Sequence, residues 1–166
     1  MKNINSAPYY GRCFDQWRAA CPAPWHAYTQ HAFVTGLGDG SLPRSAFLHY
    51  LRQDYIFLTH FSRAWALAIV KADDLDEMKA ASATVHALIH EETQLHVRIC
   101  AAEGISEQEL SNTHEAPQNI AYTRYVLEAG YSGDFLDLLA ALAPCVMGYG
   151  EIGVRLAASK PADVYR

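Results

Sequence analysis

An all-α fold, built as a helical bundle, is what this sequence predicts, and three observations carry the expectation. β-Branched residues are sparse, and no stretch alternates apolar with polar over the length of a strand. Apolar residues instead recur at steps of three and four along most of the chain, which is the period of one helix face. Prolines, glycines and capping residues fall between these periodic stretches, where helices start and stop.

Taken in order, a first helical region runs from about Phe14 to Val34, broken at Pro22-Ala23-Pro24, because proline lacks the N–H and crowds the preceding turn. Gly36-Leu37-Gly38-Asp39-Gly40 reads as a turn. Ser41 then caps a helix with Pro43 in its first turn, and the apolar period carries that helix to about Lys71. Asp73-Asp74 opens another, its acids suited to the positive end of the helix dipole, and it ends near Gly104. Ser106 with Glu109 has capping-box spacing and starts a short element. Pro117 opens the helix that holds Tyr122 and Tyr125, which Gly130 is expected to close. Ser132-Gly133-Asp134 turns into a last helix containing Cys145 and stopping before Pro161. At 166 residues, with no internal repeat, the chain is expected to form a single helical domain, residues 1–166.

The composition excludes several function classes. A hydrophobic share of 51% against 19% charged suits a packed globule rather than a disordered segment. The net charge of −5, spread without blocks of like sign, gives no reason to expect nucleic acid or anionic lipid as a partner. Met1-Lys2-Asn3-Ile4-Asn5-Ser6 lacks the apolar core of a secretory signal. The longest uncharged run, Leu138 to Gly150, falls short of the roughly 20 residues that cross a bilayer, so no membrane is expected. Cys13, Cys21, Cys100 and Cys145 show no CxxC spacing and read as reduced thiols of a cytoplasmic protein.

Two helical stripes carry chemistry-bearing residues. Phe47, Leu51, Asp54, Leu58, Phe61 and Trp65 share one face, with a carboxylate where a hydrophobe belongs. Buried there, Asp54 needs a partner, which an arginine or the amidine-like N–H groups of a ligand can supply. Leu138, Leu142, Cys145, Tyr149 and Ile152 form the second stripe, read as buried. Pro144 removes one backbone hydrogen bond just before the thiol and predicts a kink there. A free cysteine usually only packs; a nucleophilic one needs its thiolate favoured through space, because no basic residue adjoins it in sequence. The faces of Tyr122, Tyr125 and Tyr149 suit either core packing or a ring-binding pocket. His86 with His90, and Glu92 with His96, stand four apart and invite a dimetal reading, but such pairs also decorate solvated helix faces, and no metal is expected. Glu151, six residues from Cys145, points about 240° around the helix and cannot act on that thiol from the same face.

Several segments, in order and with matching gaps over nearly the whole chain, resemble the TenA/THI-4 family, the thiaminase II or aminopyrimidine aminohydrolase proteins. They are Phe47 through Leu58 with Phe61 and Arg63, His90-Glu91-Glu92 through His96, Tyr122, and Ala143 through Glu151. The resemblance implies a haem-oxygenase-like helical bundle without haem or other cofactor, usually a homotetramer. It implies replacement of the amine of 4-amino-5-aminomethyl-2-methylpyrimidine by water to give the hydroxymethylpyrimidine, and in many members cleavage of thiamin. By the same resemblance Cys145 is the nucleophile, Asp54 holds the aminopyrimidine, and Tyr122 and Tyr149 line its pocket. Phe57 stands where the family has another pocket tyrosine, keeping the stacking face and losing a hydroxyl. Family members usually continue past Arg166 through further helices that bring a second pocket tyrosine and a glutamate proton donor. No residue of this sequence matches those two, so impaired turnover is an expectation for the 166-residue form. The alternatives are a non-catalytic pyrimidine-binding or regulatory protein of the same type and, behind it, a dimetal oxygenase on the same bundle.

Overall fold

The computed structural model describes residues 8–158 of the chain. Among them the regular elements are all helical: α1 Arg12–Ala20, α2 Pro22–Thr29, α3 Ala32–Asp39, α4 Arg44–Lys71, α5 Leu75–Ala87, a π-helical segment Leu88–Glu92, α6 Thr93–Ala102, α7 Glu107–Ser111, α8 Pro117–Ser132 and α9 Phe135–Ala158. The expected end of the last helix before Pro161 and the N-terminal residues Met1 to Ser6 lie outside the described residues.

Many boundaries follow the local chemistry. The Asp74 carboxylate accepts from the amides of Asp76 and Glu77 at 2.9 Å each, satisfying two otherwise orphaned donors of α5. Ser106 and Glu109 form the reciprocal capping box at the start of α7. Pro22 and Pro117 occupy first-turn positions of α2 and α8. Other boundaries differ from expectation. Gly36 and Gly38 lie inside α3, and only Gly40, at φ 81°, takes the left-handed conformation that ends it. Helix α4 starts at Arg44, after Pro43, and the Ser41 amide instead donates to the Asp39 carboxylate at 2.9 Å. Gly130 does not close α8. It sits within the helix because a side chain there would meet Leu67 Cδ2 at 2.7 Å and Leu138 Cδ1 at 3.0 Å, and the end moves to Gly133.

By contacts the chain divides into two compact units, Arg44–Leu142 and the combination of Met1–Pro43 with Ala143–Arg166. In the first, the long α4 packs against α5, the π segment, α6, α7 and α8. Its inward face is Phe47, Leu51, Asp54, Leu58, Phe61, Ala64 and Ala68, all buried, and Leu110, Val126, Leu138 and Leu142 are buried in the same unit. Gln53 fastens the connection into α8: its side chain donates to the His114 carbonyl and accepts from the Ala116 amide, both at 2.9 Å.

In the second unit the rings of Phe14, Trp25 and Tyr28 meet edge to face at 5.3 and 5.7 Å. Glu151 accepts from Trp25 Nε1 at 3.0 Å and from Arg18 at 3.3 Å, and Arg155 donates to the Thr29 carbonyl. Gly148 is required by its neighbour, since a Cβ there would lie 2.3 Å from Tyr28 Cε1.

Helix α9 contributes to both units and is continuous through Pro144. By length and composition it is apolar enough to cross a membrane, which the shorter uncharged run did not suggest; a packed core helix meets the same criterion. Its interior marks are those of packing, with Leu138, Ala141 and Leu142 buried and both Glu151 and Arg155 hydrogen-bonded to protein partners. The second stripe is buried only in its first half. Cys145 and Ile152 are intermediate and Tyr149 is 44% exposed, because the helical period fixes which residues share a face but not how far along its length that face is covered.

Candidate functional site

A buried polar group lies between α4 and α6. Asp54 is 6% exposed and His96 is likewise 6% exposed, and the Asp54 Oδ2 atom lies 2.7 Å from His96 Nε2. The Tyr50 hydroxyl, one turn before Asp54, donates to the same oxygen at 3.2 Å. His96 Nδ1 lies 2.9 Å from the Glu92 carbonyl. The partner of Asp54 is therefore a histidine of its own fold, where the sequence suggested an arginine or a ligand.

The π segment brings His96 to this place. Buried positions run Ala81, Leu88 and then His96, steps of seven and eight; Leu95, the next in a step of seven, is 46% exposed. An i→i+5 turn takes in one residue more than an α-turn and shifts the following helix by roughly 100°. Thr93 supports that turn through its hydroxyl, which donates to the Leu88 carbonyl at 2.7 Å. The polar residue is thus turned inward and the leucine outward. A Glu–His pair four apart reads as a solvated face only if the helix is regular, which is why the sequence does not mark His96 as the partner of Asp54; Tyr50, one turn before Asp54 on α4, carries no local signal of its own.

Charge follows from these contacts. Burial alone pulls the His96 pKa down, but the hydrogen bond and charge of Asp54, with the Glu92 carbonyl and carboxylate, outweigh it and leave it raised. Glu92, exposed as a residue, has its carboxyl pushed up, first by partial desolvation and then by repulsion from Asp54, against the pull of His96.

Beside the carboxylate stands an aromatic wall. Phe57 stacks on Phe61 at 4.9 Å and faces Tyr122 of α8 at 6.0 Å with the ring planes 7° apart. The Tyr122 hydroxyl donates to the Ala141 carbonyl at 3.3 Å, which anchors the tip of that side chain. Asp54, Phe57 and Tyr122 accordingly belong to one unit, while Cys145 and Tyr149 lie on the part of α9 that belongs to the other. Tyr125, 65% exposed, faces away from the interior. The rings of His86 and His90 lie 4.6 Å apart, tilted by 43°, on an exposed face, and no group of three His, Cys, Asp or Glu able to hold a metal occurs among the described residues.

Comparison with known proteins bears on the family and the fold. The TENA/THI-4/PQQC family profile matches residues 19–165. A solved structure described as a TenA family transcription regulator, from Silicibacter sp. TM1040, is 63% identical and superposes with a TM-score of 0.90, covering 94% of this chain and 69% of that one. The aminopyrimidine aminohydrolase of Halalkalibacterium halodurans is 42% identical over 80% of this chain and 59% of its own length. That of Bacillus subtilis is 32% identical over 86% of this chain and 60% of its own. The chain thus spans about three-fifths of the curated relatives it matches. With the family profile matched across most of its length and the helical architecture shared, the chain belongs to the TENA/THI-4/PQQC family.

Proposed function

We propose that this protein is a thiamin-salvage hydrolase of the thiaminase II type. It replaces the amine of 4-amino-5-aminomethyl-2-methylpyrimidine with water, releasing ammonia and the hydroxymethylpyrimidine. The observation that carries this reading is a buried carboxylate, Asp54, held by His96 and Tyr50, three residues along α4 from the flat face of Phe57 and its near-parallel partner Tyr122. An aminopyrimidine is a flat ring with an N–H edge, and a carboxylate beside aromatic faces is the complement of both.

In this reading Asp54 accepts from the ring's N–H edge, and Phe57, Tyr122 and Tyr149 hold its faces. Cys145 adds to the protonated ring as thiolate, the amine leaves from the methylene carbon, water adds to the intermediate, and the thiol departs. Covalent catalysis divides one hard displacement into easier steps. The reaction needs no cofactor or metal, and the working protein is a cytoplasmic homotetramer. Support comes from the two relatives named aminopyrimidine aminohydrolase. The test is a pair of assays on the purified protein and its Cys145→Ser variant: ammonia release from the aminopyrimidine, and its binding by calorimetry. Turnover lost with binding kept is expected; undiminished turnover in the variant would remove Cys145 from the chemistry.

A second reading, a non-catalytic pyrimidine-binding regulator, is favoured by the 63% identical relative described as a transcription regulator. Binding of the aminopyrimidine without ammonia release by the unaltered protein is the outcome that selects it.

A further inference from the structure

Hydrogen-bond geometry fixes more about the buried pair than its separation. The Glu92 carbonyl can only accept, so His96 Nδ1, 2.9 Å away, carries a hydrogen. A carboxylate oxygen can only accept as well, and Asp54 Oδ2 lies 2.7 Å from Nε2. A neutral imidazole protonated at Nδ1 would set the Nε2 lone pair against that oxygen, in a place where each side chain is under 10% exposed. A second donor, the Tyr50 hydroxyl, already approaches Oδ2, which favours the anionic carboxylate over a protonated one. Among the described residues Oδ1 accepts no hydrogen bond.

We propose that His96 is a positioning residue of this site: it rests as an imidazolium, and its Nε2–H holds the Asp54 carboxylate in the orientation that offers Oδ1 to the N–H edge of an aminopyrimidine. The ligand half rests on the hydrolase reading above; the imidazolium half does not. The groups that face His96 are Asp54 and Tyr50 from α4 and Glu92 from the π segment, with Cys100 buried one turn further along α6. When the ring loses its proton, its lone pair turns on the carboxylate, Asp54 is released from this orientation, and ligand affinity falls. The π segment has a purpose in this account, since it is what places a histidine rather than Leu95 against α4.

Two measurements test the inference. In the ¹⁵N spectrum of histidine-labelled protein without ligand, both His96 ring nitrogens are expected to read as protonated at pH 7; a neutral ring there overturns the proposal, whatever the protein's activity. For the ligand half, binding of 4-amino-5-aminomethyl-2-methylpyrimidine is followed by calorimetry from pH 6 to 9. Affinity of the unaltered protein should fall by about tenfold per pH unit once His96 titrates. His96→Gln keeps a donor for Asp54 but has nothing to titrate, so it should bind within about threefold at pH 6 and lack that fall. His96→Leu should bind at least about tenfold more weakly throughout. A falling limb unchanged in His96→Gln overturns the positioning role. Absence of any binding by the unaltered protein sinks the aminopyrimidine reading and the ligand half together, and leaves the spectrum to decide the imidazolium.

Discussion

Two histidines in the Arg44–Leu142 unit pull the stability of this protein in opposite directions with pH. His96 has a folded pKa above its ordinary value near 6.5, so the folded state holds that proton more tightly than the unfolded one. Its contribution is complete below the ordinary value and is lost as pH rises through the folded one. His60 is the reverse. Desolvation, then the Arg124 guanidinium, push its pKa down, so it folds neutral and the stability it allows is lost as pH falls below about 6.5. The 3.5 Å approach of His60 to Glu115 is then no ion pair; the glutamate is matched by Arg124, which donates to its two oxygens at 3.2 and 2.8 Å. The expected result is a melting temperature that passes through a maximum near neutral pH. The alkaline decline should weaken in His96→Gln and the acid decline in His60→Gln, as read by calorimetric melting from pH 5 to 9. Symmetric loss of both declines in either variant would show that the two sites do not act separately.

At the scale of elements, the π segment is the place where regular helical reasoning gives the wrong face. Removing Glu91 would leave His96 seven positions from Leu88, the α-helical repeat, so an unbroken helix would still present His96 to Asp54. The His96 imidazolium signal should therefore survive the removal of Glu91; its disappearance would show that the phase of the helix does not place the ring. Much of the helical order was legible from single residues: Asp74, Ser106 and Pro117 announce helix starts because capping is decided within four residues. The glycines were legible only as breakers. Whether Gly36 and Gly130 end a helix or let another chain segment approach depends on Leu42, Leu67 and Leu138, which no local rule can see. The same holds for the site. Asp54 stood out as a carboxylate on an apolar stripe, but its partner is 42 residues away in sequence, beyond a turn with no local signature. Burial of α4 is the common support of all these features. Leu58, 2% exposed at the centre of that face, should cost about 2–5 kcal/mol on truncation to Ala, measured as the change in urea unfolding free energy.

For the molecule as a whole, the division into two compact units makes a prediction about how stability is distributed. Each unit has its own apolar cluster: Leu58, Val126 and Leu138 in one, Phe14 with Trp25 and Tyr28 in the other. Helix α9 supplies residues to both, so its own amides belong to whichever unit they are packed in. A cluster that loses packing opens at a lower free energy, and amide exchange reads that locally. Gly148→Ala inserts a methyl group where Tyr28 leaves no room, and overpacking of this kind costs about 1–3 kcal/mol. Its effect on exchange should concentrate in α1, α2 and the second half of α9, with α4 and α8 keeping most of their protection. Leu58→Ala should show the complementary pattern. If either substitution lowers protection equally in all helices, the chain unfolds as one cooperative body, and the two clusters carry no separate share of its stability.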